Sequence, residues 1–591
     1  MIPFNQEGLM MANARWMILL VCLIVAPSSR AEDGTMPPGG VLLTPAPKQI
    51  RWTDDKLQIG PFPTIRVTSA ELAQVGRVLC EEMRRLYGLR PNIVVVTAQS
   101  AEAKVTPKNG ETECEELEVP SKHDELEDGV IELVMSDSAE GTQQVRELSP
   151  WVKWPPPRNP EEGYILTVSR EKATVLAATP QGCWYGCLTL LQLMQAVSKE
   201  KESTAGEHIE TSTNSEANCQ GNNEGLGGKM GSSAGMWLPG VCICDWPQLR
   251  FRGVHLCIFP NTELAAIRQA ILWAARFKCN TVVIEPWASL KSSRHPEIAY
   301  THAYSPEQIR PLIRLGQALH LDMVPMLNSW GHASGMRSRS GEHVVLDRFP
   351  QYRSLFEADG WSFRLANPEV YSHLFDRYEE LLELFGDVRY FHIGMDEAWG
   401  HLGAVKLDLP PEKQPHELAA EHLLKLHQYF ADRKIQVLMW HDMLVRRGDP
   451  EVGGAGPAGS IPPYNTHLAL EKLPRDVIIA AWNYDVVGDW PIPRYFQKKG
   501  FRVVVCPWKS RRNTISLVNQ AKELDLLGVL ATTWDSLDVS LPSVAQAAVL
   551  AWEEPDSDLL RIPFDHWLAE LRRLPICNLP SLETTLEPIQ R

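Results

Sequence analysis

Beyond residue 250, short apolar runs alternate with longer segments in which apolar residues recur every three or four positions. Short runs bounded by turn residues are typical of buried strands, and the longer periodic segments are typical of amphipathic helices. The strand-like runs are GVHLCIF, NTVVIEPW, DMVPMLNSW, YFHIGMDE, QVLMWHDM, VIIAAWNYD, FRVVVCPW and GVLATTWDS. Eight strands that alternate with helices predict a (β/α)8 TIM barrel of the α/β class, which we place at residues 245–560.

Two of the predicted barrel helices have recognisable starts. Ser305 is followed by Pro306 and Gln308, which gives a capping box with proline at the first helical position, and Asn367 with Pro368 repeats the cap. The helical pattern is weakest between the fifth and sixth strands, where GDPEVGGAGPAGSIPP predicts a long loop. An open, doubly wound sheet is the alternative architecture, but no GxGxxG motif follows any of the strands.

The region before the barrel has a mixed pattern. Within residues 41–197, the helical periodicity of SAELAQVGRVLCEEMRRLYG is followed by the strand-like runs NIVVV, VIELVM, YILTVS and ATVLAA, which predicts a small α+β domain. Residues 198–236 are rich in Ser, Gly, Asn and Glu and contain almost no large apolar side chains, so they predict a flexible insertion. Residues 561–591 are assigned to a C-terminal extension.

The N-terminus has the pattern of a secretory signal peptide. Arg15 is followed by the apolar run WMILLVCLIVA and then by PSSRAED, which give a basic region, an apolar region and a small-residue cleavage site after Ala31. We therefore expect residues 1–31 to be removed and the protein to be exported, to the periplasm or to the medium. The apolar run is shorter than a membrane-spanning helix needs, so no membrane span is expected after removal.

The amino-acid composition indicates which classes of ligand the protein can bind. The net charge of −15 argues against a nucleic acid, because no basic patch offsets the repulsion of phosphates. Nineteen tryptophans are many for 591 residues, and flat indole faces commonly hold sugar rings. The cysteines have no regular spacing and predict no disulfide framework. Because no CxxC, HExxH or EF-hand pattern occurs, we expect neither a metal nor another cofactor. The oligomeric state is not indicated.

The predicted barrel brings the carboxyl ends of its strands to one rim, where barrel enzymes have their active sites. These ends are rich in carboxylates and tryptophans, and they supply His255, Cys257, Glu285, Trp287, His332, Asp396, Glu397, Trp440, Asp442, Trp482, Tyr484, Asp485, Trp508, Trp534 and Asp535. Aromatic side chains wall a sugar ring, while carboxyl groups protonate the leaving oxygen and stabilise an oxocarbenium-like transition state. The pattern therefore favours a glycosidase that acts on a glycan or an amino-sugar oligosaccharide.

Asp396 and Glu397 are neighbours in YFHIGMDEAWG, directly after the fourth apolar run. Successive residues of a regular strand point to opposite faces, so both carboxylates can reach the mouth of the barrel only where the strand turns into its loop. We expect one of them to be a protonated acid beneath the glycosidic oxygen and the other to stay anionic near the sugar ring.

The HIGMDE segment resembles the HxGxDE signature of glycoside hydrolase family 20, the β-N-acetylhexosaminidases. SWGHAS, WHDM, WNYD and TTWDS resemble that family's motifs at the third, fifth, sixth and eighth strands. GYILTVS, ATPQGCWYGCLTLLQLM and LPGVCICDWPQLRFRGVHL resemble the end of its small N-terminal domain and the entry into the first barrel strand. The likeness extends from about Leu42 to Glu553, apart from the low-complexity segment. It implies exo-acting release of terminal β-linked GlcNAc or GalNAc.

The resemblance also implies a retaining, substrate-assisted mechanism. In this family the 2-acetamido carbonyl oxygen of the substrate attacks the anomeric carbon, and an oxazolinium intermediate forms without an enzyme nucleophile. Asp396 would then orient the acetamido N–H, Glu397 would be the acid and later the base, and His332 would lie behind Glu397. The expected substrate-binding residues are Trp440, Asp442, Trp482, Tyr484, Trp534, Asp535 and Glu285.

The chain departs from the family pattern around the expected sugar site. Cys257 and Pro260 stand where the family commonly has an aspartate and an arginine that grips outer hydroxyls, and Arg252 lies at the wrong end of its strand to replace that arginine. The seventh strand ends in CPWKSRRN without the usual tyrosine and aspartate, and Ser536 replaces the acid of the eighth. We therefore expect an intact catalytic pair with a rebuilt sugar grip.

Two alternatives remain open at this point. One is a barrel glycosidase for a different sugar, in which Asp442, Asp485 or Asp535 is the nucleophile. The other is a carbohydrate-binding barrel with weak or no catalysis, although a binding protein has little use for two adjacent carboxylates at a strand end.

Overall fold

The computed structural model describes residues 43–97, 100–103, 129–206, 236–334, 346, 349–400, 405–407, 409–452, 459–486, 488–534 and 537–553. The predicted signal peptide, residues 207–235 of the predicted insertion and the predicted C-terminal extension lie outside this part of the chain. None of the helices in the described ranges combines the length and the apolar character that a membrane crossing requires.

The N-terminal part of the chain forms a mixed sheet covered by helices on both faces. Its strands are β1 (Gln49–Ile59), β2 (Thr64–Val67), β3 (Asn92–Thr97), β4 (Ser100–Ala103), β5 (Val130–Met135), β6 (Tyr164–Val168), β7 (Lys172–Ala177) and β8 (Met236–Asp245). They lie side by side in the order β1-β8-β6-β7-β5-β2-β3-β4. The helices are α1 (Ala73–Tyr87), α2 (Ala139–Leu148) and α3 (Pro180–Gly206). Alternating strand residues divide the core, so that Leu133 packs with α1 and α3 on one face while Val134 packs with α2 on the other.

This sheet extends further along the chain than the sequence pattern indicates. The α+β prediction is confirmed, but α3 continues to Gly206 and β8 begins at Met236, so both enter the segment predicted as a flexible insertion. β8 pairs antiparallel with β1 and with β6. Pro239 and Gly240 interrupt the apolar alternation of β8, and a register shift in the facing part of β1 accommodates them. The strand therefore has no regular period from which to predict it.

The second sheet is the predicted parallel barrel. Its strands are β9 (Phe251–Cys257), β10 (Thr281–Glu285), β11 (Asp322–Pro325), β12 (Tyr390–His392), β13 (Gln436–Trp440), β14 (Ile478–Trp482), β15 (Arg502–Cys506) and β16 (Gly528–Ala531), in the order β11-β10-β9-β16-β15-β14-β13-β12. The seam between β11 and β12 is bridged by the pair Met326 and His392, with Leu327 N–H donating to His392 O at 3.0 Å. These bonds nearly close the ring, and they confirm the (β/α)8 prediction.

Helices alternate with the barrel strands as the sequence pattern predicts. They are α4 (Leu264–Arg276), α5 (Pro306–Ala318), α6 (Glu369–Phe385), α7 (Pro415–Ala431), α8 (Pro491–Lys498), α9 (Arg511–Glu523) and α10 (Leu537–Trp552). The predicted capping box at the start of α5 is present, and the Asn367 side chain accepts the N–H of Glu369 at the start of α6 at 3.0 Å. Among the described residues between β13 and β14, a 3-10 helix (Thr466–Lys472) takes the place of an α-helix.

Side chains fill the barrel interior. The residues that share this inner core are Phe251, Val283, Val324, Met326, Tyr390, Leu438, Trp440, Ile478, Ala480, Val504, Cys506 and Leu530. Because the interior is a packed core rather than a pore, ligands can approach only from the rim above it. Trp440 at the end of β13 forms part of the upper surface of this core.

Buried charges join the N-terminal sheet to the lower end of the barrel. Arg252 of β9 donates from Nη1 to Glu162 Oε2 at 2.6 Å, with neither side chain open to solvent. Asp245 at the end of β8 lies 3.5 Å from Lys278 Nζ and accepts a hydrogen bond from Trp552 Nε1 at 2.8 Å. A buried charge that loses its partner is strongly unfavourable, so these pairs fix the sheet and the barrel against one another.

The buried pair predicts a large loss of stability in Arg252→Met. We expect the free energy of unfolding to fall by about 3–5 kcal/mol, because Glu162 would be left buried without its partner. Arg250→Met is the matched control, since its ion pair with Glu161 at 3.2 Å is exposed on both sides and should contribute about 1 kcal/mol or less. Urea unfolding of both variants measures the difference, and equal losses would contradict the prediction.

Candidate active site

Asp396 and Glu397 leave the end of β12 in a backbone conformation that few side chains adopt. Met395 and Glu397 have φ angles of 87° and 49°, and Gly394 before them has a φ of 69°. Left-handed residues break the alternation of a strand, so that neighbouring carboxylates can turn toward one partner. Strain of this kind costs about 1–3 kcal/mol per residue and is typical of active sites. The structure thus brings together the two carboxylates that the sequence places at this strand end.

His332 lies between the two carboxylates. Its Nε2 atom is 3.2 Å from Asp396 Oδ2 and 3.2 Å from Glu397 Oε2. Burial of the imidazole would lower its pKa, but the charge of Asp396 and hydrogen bonds with both carboxylates outweigh burial and raise the pKa of His332 to about 10. At neutral pH the ring is therefore an imidazolium that lies between the two carboxyl groups.

The same three side chains have the residue types of a metal site. One nitrogen and two carboxylate oxygens of His332, Asp396 and Glu397 lie within 4.8 Å of one another. A metal ligand has to be a neutral imidazole, so a metal would have to displace the proton that the carboxylates favour on His332, whose pKa is about 10 without one. The arrangement fits an acid–base site better than a metal centre.

Two glycines let the loops of the third and fourth strands touch. A Cβ atom at Gly331 would lie 1.9 Å from the carbonyl oxygen of Asp396, and a Cβ atom at Gly394 would lie 2.3 Å from Asn328 Oδ1. Both distances are too short for nonbonded atoms, so only glycine permits these backbones to meet. Because His332 follows Gly331 directly, this contact sets the distance between the imidazole and the carboxylates.

Asp442 at the end of the fifth strand lies beside the pair but faces the protein. Its Oδ2 atom accepts the backbone N–H of Glu397 at 2.8 Å, and its Oδ1 atom accepts Nε1–H of Trp482 at 3.3 Å. The residue is only 1% exposed. Burial, followed by the charge of Asp396, raises the pKa of Asp442 well above its usual range.

Glu285 at the end of β10 also lies below the mouth of the barrel. Its Oε2 atom is 2.8 Å from His255 Nε2, and its Oε1 atom accepts a hydrogen bond from Asn328 Nδ2 at 2.6 Å. Glu285 is therefore engaged by the first and third strands on both oxygens. Like Asp442, it supports the rim from below rather than presenting an oxygen to it.

An aromatic wall, formed by Trp440, Trp482, Tyr484 and Trp534, follows the ends of β13, β14 and β16. Trp482 stacks on Tyr484 with ring centroids 5.2 Å apart, and Trp534 Nε1 donates to Tyr484 Oη at 2.6 Å. Trp534 packs in turn against Trp440 with centroids 5.8 Å apart. Trp440 is fully buried, whereas the other three side chains are partly exposed at the rim. Asp535 lies outside the described residues.

Two further tryptophans pack against His332. The ring centroid of Trp361 is 4.2 Å and that of Trp287 is 5.5 Å from the imidazole, and Trp361 Nε1 donates to the carbonyl oxygen of Glu397 at 2.9 Å. Trp287 lies just beyond β10, so its position at a strand end already indicates it in the sequence. Trp361 lies in the loop between β11 and α6 after an ordinary Asp-Gly turn, so no pattern in the sequence points to it.

Three residues that depart from the expected sugar grip lie in the described part of the chain, after strand ends at the same rim. Cys257 is buried, and its Sγ atom accepts a hydrogen bond from Trp287 Nε1 at 2.7 Å. Pro260 is exposed. The ammonium of Lys509, in the CPWKSRRN segment, lies 3.8 Å above the preceding indole ring. Ser536 lies outside the described residues.

Two family models match the chain. The model for glycosyl hydrolase family 20, domain 2, matches residues 41–210, and the model for the glycosyl hydrolase family 20 catalytic domain matches residues 283–511. Together they span more than half of the chain. The chain belongs to glycosyl hydrolase family 20. The catalytic-domain match of this family 20 protein includes His332, Asp396 and Glu397.

Known members of glycosyl hydrolase family 20 are distant relatives of this chain. A beta-hexosaminidase of Porphyromonas gingivalis is 22% identical over 78% of this chain and 53% of that protein, so the chain spans about half the length of this curated relative. The exo β-N-acetylglucosaminidase of Vibrio harveyi, solved with N-acetylglucosamine, aligns over 90% of this chain and 77% of its own, with a TM-score of 0.56 and 15% identity. The β-N-acetylhexosaminidase of Bacteroides fragilis aligns over 90% and 96%, with a TM-score of 0.56 and 16% identity. At these identities the solved structures support the fold.

The raised pKa of His332 predicts a particular pH dependence of stability. Because the pKa in the folded family 20 protein is about 10 and that of an unfolded histidine is about 6.5, the stabilisation is complete below about pH 6.5 and is lost as the pH rises through the folded value. The difference in free energy of unfolding between wild type and His332→Gln should therefore shrink between pH 7 and pH 10. Urea unfolding at a series of pH values measures it. A difference that grows with pH would contradict the assignment.

The contact at Gly331 predicts that Gly331→Ala is destabilising. We expect a loss of at least about 1–3 kcal/mol, because the added methyl group would force the third and fourth strand loops apart. Gly488→Ala is the matched control, since no atom lies within 4 Å of a Cβ at that position and its effect should stay within about 0.5 kcal/mol. Thermal unfolding distinguishes the two variants, and similar midpoints would show that the loops are not in tight contact.

Proposed function

We propose that the protein is an exo-acting β-N-acetylhexosaminidase that releases terminal β-linked GlcNAc or GalNAc from glycans. Membership of glycosyl hydrolase family 20 and a beta-hexosaminidase among the relatives support this proposal. One observation carries it: Asp396 Oδ1 is buried and has no hydrogen-bond partner in the described part of the chain, while Oδ2 faces His332. A buried acceptor without a donor costs about 1–3 kcal/mol, and the acetamido N–H of such a sugar would satisfy it.

The exposure of the two carboxylates suggests which one binds the amide and which one is the acid and base. The Glu397 side chain is 23% exposed, against 11% for Asp396, so Glu397 is the one that a leaving group and water can reach. The Nε2 atom of His332 lies 3.2 Å from an oxygen of each. Asp396 can accept the amide N–H, and Glu397 is a competent base once it has given up its proton.

The proposed reaction has two steps. First, the acetamido carbonyl oxygen bonds to the anomeric carbon while the glycosidic bond breaks, and Glu397 transfers its proton to the leaving oxygen. Asp396 accepts the N–H of the resulting oxazolinium ion and stabilises its positive charge. Second, water bonds to the anomeric carbon and gives a proton to Glu397 while the bond from that carbon to the acetamido oxygen breaks, which releases the sugar with its configuration retained.

A glycosidase that uses Asp442 as its nucleophile is disfavoured by the same geometry. Both oxygens of Asp442 accept hydrogen bonds from protein N–H groups, and the side chain is closed to solvent. A nucleophile has to reach the anomeric carbon, so this carboxylate is in the wrong place for that role.

We also propose that the enzyme acts outside the cytoplasm, because residues 1–31 have the pattern of a signal peptide. N-terminal sequencing of protein from the periplasm or the medium should begin after Ala31. Uncleaved protein that stays in the cytoplasm would contradict export.

Variants of the catalytic pair test the proposed reaction. Glu397→Gln should lower kcat on chitobiose by about 10²–10⁴-fold, because a sugar leaving group needs a proton, and should lower it much less on dinitrophenyl β-GlcNAc. Asp396→Asn should lower kcat more than it raises KM, since its charge matters most once the amide becomes cationic. Initial rates on both substrates measure these effects.

Three controls accompany these variants. Asp476→Asn, an exposed residue paired with His427 at the opposite end of β14, should leave the rates unchanged. Aryl β-glucosides, which lack the acetamido group, should not be cleaved, and a GlcNAc thiazoline that mimics the oxazoline should inhibit. Wild-type rates in either catalytic variant, or cleavage of the glucoside without cleavage of GlcNAc substrates, would overturn the proposal.

A further inference from the structure

We propose that Asp442 is a positioning residue for the reaction, because it ties the backbone of the acid Glu397 to the indole of Trp482 at the sugar-facing rim. This inference rests on the proposed function and deepens it. It gives a role to a carboxylate that touches neither the sugar nor the reacting atoms.

The hydrogen bonds of Asp442 join three neighbouring strand ends. The residue opens the buried 3-10 turn Asp442–Leu444 that follows β13. From there, Oδ2 accepts Glu397 N–H of the β12 loop at 2.8 Å, and Oδ1 accepts Trp482 Nε1–H of β14 at 3.3 Å. With the side chain 1% exposed, both oxygens are reserved for these protein groups.

The bond to Glu397 acts where the backbone is strained. Glu397 has a φ of 49°, which an L-residue holds only when its surroundings impose it. A buried N–H needs an acceptor, and in this conformation Asp442 provides it. Without that acceptor the residue would relax toward an ordinary conformation, and the acid would leave its position 3.2 Å from His332.

The bond to Trp482 connects the acid to the aromatic wall. Trp482 stacks on Tyr484, whose hydroxyl oxygen accepts the indole N–H of Trp534. A sugar held against this wall is therefore positioned relative to the same carboxylate that holds the backbone of Glu397. Asp442 thus couples the orientation of the sugar to the placement of the proton donor, and misplacement by about 1 Å is enough to cost about 10²-fold in rate.

Substitutions at Asp442 and Trp482 can separate the two hydrogen bonds of Asp442. Asparagine has nearly the same shape as aspartate, but one of its two polar atoms is a donor instead of an acceptor. Asp442→Asn keeps a carbonyl oxygen for Glu397 N–H and loses the bond to Trp482. Asp442→Ala loses both bonds, and Trp482→Phe removes the indole donor while keeping a smaller aromatic ring beside Tyr484.

The test compares a poor and an activated leaving group. Asp442→Ala should lower kcat on chitobiose by about 10²-fold or more but on dinitrophenyl β-GlcNAc by about 10-fold or less, because only the sugar leaving group depends on a well-placed acid. Asp442→Asn should restore kcat on chitobiose to within about 10-fold of wild type. The double variant Asp442→Asn with Trp482→Phe should lose no more activity than the less active of its two single variants, since both substitutions remove the same hydrogen bond. Asp476→Asn again serves as the exposed control.

The outcomes separate positioning from general damage. Equal losses on the two leaving groups, equal losses in the Asn and Ala variants, or wild-type kcat in Asp442→Ala would each overturn the inference. If Asp442→Ala does not fold, the double variant provides the test. A loss of kcat in the double variant that equals the sum of the losses in its two single variants, in free energy, would overturn the inference, because two changes to one hydrogen bond should not add. A wild-type protein that cleaves neither GlcNAc substrate rejects the proposed function itself, and the role of Asp442 falls with it.

Discussion

A single buried imidazolium holds two adjacent carboxylates together at the mouth of the barrel. Side by side in a poorly solvated loop, Asp396 and Glu397 would repel each other whenever both are ionised, as they are after Glu397 has given up its proton. His332 places one positive charge 3.2 Å from an oxygen of each. The strained backbone of the loop persists because this arrangement, together with the hydrogen bonds around it, overdetermines the conformation.

The surroundings of this triad explain why it stays in place. The glycine contacts bring the third and fourth strand loops to their minimum separation, and Trp361 packs against the imidazole while holding the Glu397 carbonyl. Beneath them, Glu285 links the first and third strands through His255 and Asn328. Both oxygens of Glu285 are therefore satisfied by protein, whereas Oδ1 of Asp396 has no hydrogen-bond partner in the described part of the chain. This difference indicates that Asp396 is available to a ligand, whereas Glu285 supports the site.

The parts of the fold that follow a regular period could be predicted from the sequence. All eight barrel strands are apolar runs, and because strand ends converge at one rim, the sequence alone predicts that His332, Asp396 and Glu397 lie together. β8 could not be predicted, because Pro239 and Gly240 break its alternation and its partners lie far away in the chain. The orientation of the Asp442 side chain could not be predicted from the sequence either. A carboxylate at a strand end can point to solvent or into the protein, and only the contacts across strands decide which.

The position of β8 has a consequence for how the chain can be divided. In the first sheet it lies between β1 and β6, yet along the chain it leads directly into β9 of the barrel, with residues 207–235 separating it from the other strands of its sheet. A single cut within those residues would leave β8 on the barrel fragment and a gap between β1 and β6 on the other. Each fragment would then carry unpaired backbone groups that the other fragment satisfies along a whole strand. The molecule is thus built as two interlocked pieces joined by strand donation, rather than as two domains connected by a linker.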